Sequence, residues 1–206
     1  MSKSQPYLYY RLLIFINLLV WQGQSTREGK MINKALNFAI KAHCGATRKG
    51  CNTPFILHPI EAASIVARLT DDIDLVIAAL LHDTIEDTDV TYEDIKAEFG
   101  EKIADIVAGE SEDKDKTWHE RKQHTLQTLK NESKEIKIVA MGDKLSNMRS
   151  MANDYEKLGE KLWDRFNVKD KALQGWYYKG LVECFDEIKD TREYKEYKGL
   201  VEQVFE

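Results

Sequence analysis

Cysteine is scarce: Cys44, Cys51 and Cys184 are odd in number and show no C-x-x-C spacing. That excludes a disulfide framework and makes a reducing cytoplasmic compartment the simpler setting. Three prolines in 206 residues leave long stretches free to wind as helices. Runs of alternating apolar and polar residues are missing too, which argues against sheets. An excess of positive charge is likewise absent, with 30 Lys and Arg against 35 Asp and Glu and a formal net charge of −5. Nucleic acid and anionic membrane are therefore not expected partners, although a local basic pocket for a phosphorylated small molecule remains compatible.

No apolar run approaches the roughly 20 residues that span a bilayer. The nearest, LLIFINLLVW from Leu12 to Trp21, follows Lys3 and Arg11 as a secretion signal would, yet no small-x-small cleavage site comes after it. Residues 1–30 are read as an N-terminal extension upstream of a natural start at Met31, with a packing helix or a signal-like anchor as alternatives. Residues 31–206 are read as one domain. Its 43% hydrophobic and 32% charged content describes an ordinary globular chain, and a homo-oligomer is compatible with it.

What the chain does have is helical periodicity, and the fold class expected is all-α. Ile32, Leu36, Ala39 or Ile40, and His43 share one face of a first helix. CGATRKGCNTPFIL is a loop, and Pro59 opens a second helix to Leu69 with His58 at its N-cap. A third, mostly buried helix covers Asp71 to Asp83, and short ones follow over Thr91–Phe99 and Glu101–Ala108. Further helices are expected over Trp118–Lys130, Ile136–Met151, Tyr155–Trp163 and Lys169–Ile188, ahead of a polar, weakly amphipathic tail from Thr191.

Four titratable side chains, His82, Asp83, Glu86 and Asp87, end the apolar run of the third helix in ALLHDTIEDT. An isolated His–Asp pair is commonly a cap beside a satisfied core histidine. Here, however, His58 stands at another helix start, and Asp143 shares a face with Ile136, Ala140 and Asn147 on a third helix. Two imidazoles and two carboxylates on apolar faces make a metal site plausible. A nitrogen and oxygen ligand set without thiolate suits Mn²⁺, Fe²⁺ or Zn²⁺. Such an ion acidifies water and neutralises phosphate oxygens, and Glu86 and Asp87 are placed to orient or deprotonate the attacking water.

The order His58, His82-Asp83, Asp143 resembles the pattern of the HD phosphohydrolases. RKGCNTPFILHP, AALLHDTIEDT, TYEDIKAEFGEKIADIV and GDKLSNMRS resemble, in sequence, the hydrolase domain of RelA/SpoT-type (p)ppGpp enzymes over roughly residues 31–190. The resemblance implies an all-helical HD fold and one Mn²⁺ held by His58, His82, Asp83 and Asp143. It also implies hydrolysis of the 3′-pyrophosphate of ppGpp or pppGpp, with Glu86 and Asp87 serving the water. Arg48 and Lys49 match its basic pair, Asn147 and Ser150 its polar positions near the nucleotide, and His43 a position facing the substrate or packing behind it. Gly142 and Ser146 depart from the pattern, which usually has alanine and histidine there. The competing readings are an HD hydrolase of another phosphorylated nucleotide or cofactor, and a non-catalytic nucleotide-binding module. His119 and His124 are expected at the surface; Trp176, Tyr177 and Tyr178 as packing between the last helices, with a base-stacking platform as the alternative; and SEDKDK as a solvated loop, with a place at the pocket rim as the alternative.

Overall fold

A computed structural model describes residues 26–206. The expectation for Leu12–Trp21 lies outside these residues. Among the described residues no strand forms, and the one β-type pairing is a bridge between Thr47 and Pro54.

The first helix, α1 (Arg27–Ala42), starts four residues before Met31. Thr26 accepts the Gly29 amide at 3.0 Å and so satisfies one of the donors a helix start leaves open. Its buried stripe is Ala35 and Ala39, and His43 sits at its C-terminal cap. The loop that follows turns at Gly45 and Gly50, whose φ values of +79° and +74° favour glycine.

Helix α2 (Leu57–Leu69) begins earlier than Pro59. Turn bonds from Leu57 N to Pro54 O and from His58 N to Phe55 O start the winding, so His58 lies inside the first turn and is not the N-cap, which is Ile56. Pro59 is tolerated because N–H groups of a first turn have no intrahelical acceptor to lose.

Asp72 caps α3 (Ile73–Leu81), in which every residue from Leu75 to Leu81 is buried. The helix stops at Leu81, two residues short of the expected end, and resumes as the single turn α4 (Thr84–Asp87). Side chains cause the interruption: His82 Nδ1 donates to Ala79 O at 2.8 Å and Thr84 Oγ1 to Leu81 O at 2.6 Å. Both take carbonyls that the next helical turn would have used.

Helices α5 (Tyr92–Phe99), α6 (Glu101–Glu110) and α7 (Trp118–Asn131) match their expected places. Reciprocal capping boxes, Thr91 with Asp94 and Thr117 with Glu120, start the first and third. The central element is α8 (Lys134–Leu158), which absorbs the expected Ile136–Met151 helix and half of the next one. It packs most extensively on α2 and also touches α3. A 3₁₀ segment (Gly159–Arg165) stands in place of the remainder of the expected Tyr155–Trp163 helix. Helix α9 (Lys171–Cys184) is followed by a 3₁₀ turn, Asp186–Ile188.

The tail is not weakly amphipathic. Thr191 caps α10 (Arg192–Phe205), which buries Tyr197, Val201 and Val204 against α8 and α9. The core runs through Ile65, Leu75, Ile77, Leu81, Ile95, Ile103, Met141, Leu145 and Met148. No described helix is long and apolar enough to cross a membrane.

Candidate active site

Two features of the sequence bring the site together. The halt of α3 presents His82 and Asp83 as a pair, and Gly142 lets α8 press against α2. A Cβ on Gly142 would lie 2.7 Å from both Ala62 O and Val66 Cγ2. His58 of α2 therefore reaches Asp143 of α8, Nε2 to Oδ1, at 3.1 Å. His82 Nε2 lies 3.0 Å from Asp83 Oδ2 and 3.6 Å from Asp143 Oδ1, and His58 Nε2 lies 3.5 Å from Asp83 Oδ2. The two imidazole Nε2 atoms are 3.2 Å apart.

Proton bookkeeping shows what this cluster wants. His82 Nδ1 must donate to the Ala79 carbonyl, and His58 Nδ1 hydrogen-bonds Ser146 Oγ at 2.8 Å while that hydroxyl donates to Glu61. Both Nε2 atoms then converge on two carboxylates; each is a lone pair in the neutral ring, and His82, flanked by both carboxylates, is the ring that holds an Nε2 proton until a cation displaces it. Burial alone pulls both histidines down; for His82 the Asp83 and Asp143 carboxylates more than offset it and hold it well above the ordinary imidazole range, while His58 stays below. Burial opposes ionisation of Asp143 as well, but Lys144, His58 and His82 hold it well below the usual carboxylate range. Converging lone pairs and anions in a buried spot fit a divalent cation, and the ligand atoms of His58, His82 and Asp143 lie within 4.8 Å of one another.

Above the cluster opens a cavity of about 470 Å³, a volume in the range of small-ligand sites. The structure brings the expected substrate-side and water-side residues to it: His43, Arg48, Lys49, Glu86, Asp87, Asn147 and Ser150 line the walls around the four cluster residues. Arg48 donates to Asn147 Oδ1 at 2.7 Å, and Asn147 Nδ2 to Asp143 Oδ1 at 2.5 Å, so the loop's guanidinium is tied to the cluster. Glu86 is half-buried, accepts the Glu112 amide at 3.2 Å, and has its carboxyl raised by burial. Asp87 is exposed and pairs with Lys114 at 3.4 Å. His43 is buried against Phe55, with ring centroids 4.9 Å apart, and among the described residues its Nε2 has no hydrogen-bond partner.

Other groups were not anticipated. Lys144 is mostly covered, its side chain 15% exposed, and pairs with Asp143 and, at 3.9 Å, with Glu110. Lys122 pairs with Glu112 at 2.8 Å beneath the Tyr177 ring. Most of SEDKDK is solvated as expected, but it also meets the rim, its alternative place, through Glu112, which lines the cavity, and Lys114, which reaches Glu86 O and Asp87. Tyr177 and Tyr178 pack as expected, Tyr178 stacking on Phe205 at 5.7 Å, but both also face the cavity. Burial pushes the Tyr178 phenol up to about 12, so it is a neutral donor. Trp176 is not packed: it is exposed and stacks on His119, which, like His124, lies at the surface. Ser146 does not line the cavity; it stands behind His58. Cys44, Cys51 and Cys184 are all unpaired.

An all-helical domain that aims two imidazoles and two carboxylates from three helices into one polar cavity defines a class, that of helical metal-site domains. The HD domain family profile matches residues 35–166, and the chain belongs to that family. It is 37% identical over 121 residues to the Danio rerio guanosine-3′,5′-bis(diphosphate) 3′-pyrophosphohydrolase MESH1, covering 57% of this chain and 67% of that one. To the Homo sapiens protein of the same name it is 35% identical over 160 residues, covering 72% and 87%. The chain spans only 18% of the Aquifex aeolicus guanosine-3′,5′-bis(diphosphate) 3′-pyrophosphohydrolase, at 36% identity over 128 residues and 61% of this chain. A solved structure of a metazoan ortholog of SpoT, 22% identical, has the same fold, with a TM-score of 0.71 over 84% of this chain and 94% of the other.

Proposed function

We propose that this protein is a divalent-metal-dependent hydrolase that removes the 3′-pyrophosphate of ppGpp or pppGpp, giving GDP or GTP and pyrophosphate. The observation that carries the reading is the cluster of buried His58, His82 and Asp143 with partly exposed Asp83 at the floor of a cavity lined by Arg48, Lys49, Lys122 and Arg165. Those four cluster residues would hold the ion, and their nitrogen and oxygen donors suit Mn²⁺. A bound divalent ion supplies positive charge against phosphate oxygens and makes water a stronger acid. The relatives' printed activity is the second support. Unpaired cysteines and the net charge of −5 fit a cytoplasmic setting and a small-molecule partner.

The chain's own residues divide the work. Water oxygen forms a bond to the phosphorus attached to the 3′-oxygen, and the bond from that phosphorus to the 3′-oxygen breaks. Glu86, beside the cluster and raised by burial, takes the proton from the water, with Asp87 orienting it from the rim. The departing 3′-oxygen gains a proton, which closes the balance. Arg48 binds phosphate oxygens bidentately, which Lys49 can do only as a point charge. Asn147 and Ser150 offer hydrogen bonds on the α8 wall, and His43, whose covered Nε2 has no partner among the described residues, completes the lining.

The test is incubation of the full chain with ppGpp and Mn²⁺, with GDP and pyrophosphate quantified by anion-exchange chromatography. Both products should appear with wild type and neither with Asp83→Ala; wild type that binds Mn²⁺ but leaves ppGpp intact would overturn the substrate assignment. Glu86→Gln is expected to lower kcat by about 10²- to 10⁴-fold. Because burial raises Glu86, activity should fall as pH drops through a value above that of an ordinary glutamate, and this acid limb should vanish in the variant. An unchanged pH–rate profile in Glu86→Gln would remove Glu86 from the proton transfer.

A further inference from the structure

Beneath the cluster lies a side chain that neither lines the cavity nor touches the proposed ion. Ser146 of α8 is buried, accepts from His58 Nδ1 at 2.8 Å, and donates to Glu61 Oε2 at 2.9 Å. The other oxygen of Glu61 receives Arg149 Nη1 at 3.0 Å. Arg149 then closes on Glu196 of α10 with two bonds, Nε to Oε1 at 2.6 Å and Nη2 to Oε2 at 2.9 Å. An unbroken hydrogen-bonded line thus joins α2, α8 and the C-terminal helix.

The direction of each proton in this line is forced. An ionised Glu61 held by Arg149 has no hydrogen to give, so the Ser146 hydroxyl gives its own. The Ser146 oxygen is left as an acceptor, and His58 must keep its proton on Nδ1. Its Nε2 lone pair then faces the cluster. Outer partners of this kind fix the tautomer and ring orientation of a ligating histidine and raise its basicity. Glu61 and Arg149 are only partly covered, with side chains 41% and 27% exposed, so the line runs from the protein surface to the buried imidazole.

We propose that Ser146 and Glu61 are positioning residues that lock His58 in its Nδ1–H tautomer for metal capture, and that Arg149 and Glu196 tie this lock to α10. Position 146 is one where the resemblance expects histidine. This chain instead places a hydroxyl there, backed by the Glu61 carboxylate. The affinity consequence rests on the metal reading above; the tautomer does not.

The experiment uses the full chain as wild type, Ser146→Ala and Ser146→Thr. Mn²⁺ affinity is measured by calorimetric titration, the histidine tautomer by ¹⁵N NMR of the metal-free protein, and metal-free Tm by thermal melting. Ser146→Ala should weaken Mn²⁺ binding by about 10- to 100-fold and erase the single Nδ1–H signature of His58, with metal-free Tm unchanged. Ser146→Thr, which keeps the hydroxyl, should restore both. Wild-type affinity and tautomer in Ser146→Ala would overturn the proposal. So would equal losses in both variants with a lowered metal-free Tm, because Ser146 would then be filling space. A wild type that binds no Mn²⁺ but whose His58 tautomer depends on Ser146 would support the lock and overturn the metal reading instead.

Discussion

Asp143→Asn is expected to abolish Mn²⁺-dependent hydrolysis of ppGpp and also to destabilise the folded chain by about 3–5 kcal/mol, the scale of losing one partner of a buried ion pair. Two functions meet in this carboxylate. Its Oδ1 faces His58 at 3.1 Å within the cluster, while the carboxylate also pairs with the mostly covered Lys144. Burial opposes the Lys144 charge, yet the Asp143 carboxylate, with Glu110 behind it, holds its ammonium well above the ordinary lysine range. With Asp143 neutral, Glu110 at 3.9 Å is the remaining acidic partner of Lys144 in the structure. The sign of the pH effect follows. In wild type, Lys144 is raised on folding, so its contribution is complete below the unfolded lysine value and fades only as pH rises through the raised one. In the variant, burial is less opposed, so the deficit is present at neutral pH. Chemical denaturation of metal-free protein reads the stability, and Asp143→Asn/Lys144→Met should recover most of it without activity. A double variant no more stable than the single one would mean that Lys144 is not the cause.

Gly142→Val should be the most damaging change among residues that touch no ligand. The first Cβ would sit 2.7 Å from the backbone oxygen of Ala62, which cannot swing aside as a side chain can. Overpacking of this kind costs about 1–3 kcal/mol or more. Valine's better helix propensity returns only a few tenths of a kcal/mol, so the clash wins. Relief requires α2 to retreat from α8, which separates His58 from Asp143. Urea unfolding should show the stability loss, and calorimetry on the folded fraction should show weakened Mn²⁺ binding. Unchanged Mn²⁺ affinity in folded Gly142→Val would show that the α2–α8 spacing does not set the cluster.

Gly142 also marks where sequence reading stopped. Glycine in a helix reads as a modest penalty, and only the packed partner reveals why it is needed. By contrast, the run Leu75–Leu81 ending in His82-Asp83 was legible, because a continuous apolar stretch that ends in ligand-type residues has few physical uses. The helix starts near Thr91 and Trp118 were legible too, although the reciprocal boxes of Thr91 with Asp94 and Thr117 with Glu120 that set them came from the structure. Lys144, Glu110 and Lys122 carry no local signal of their place at the cavity, since it depends on partners contributed by other helices. Helix α10 was underrated because Tyr197, Val201 and Val204 are its only buried apolar residues among many charges. The halt at His82 was missed because side chains of His82 and Thr84, and no glycine or proline, interrupt the helix.

The ligand-type residues come from chain positions 58, 82, 83 and 143, on α2, at the end of α3 and on α8. No such grouping survives in an unfolded chain, so a cation that binds there binds the native state alone. Mass action then adds RT ln(1 + [M]/Kd) to folding, about 2.7 kcal/mol when the free ion stands at a hundred times Kd. The free cation level in the surroundings thereby becomes a thermodynamic variable of the fold itself, setting what fraction of chains is exposed to proteolysis as well as what fraction can turn over substrate.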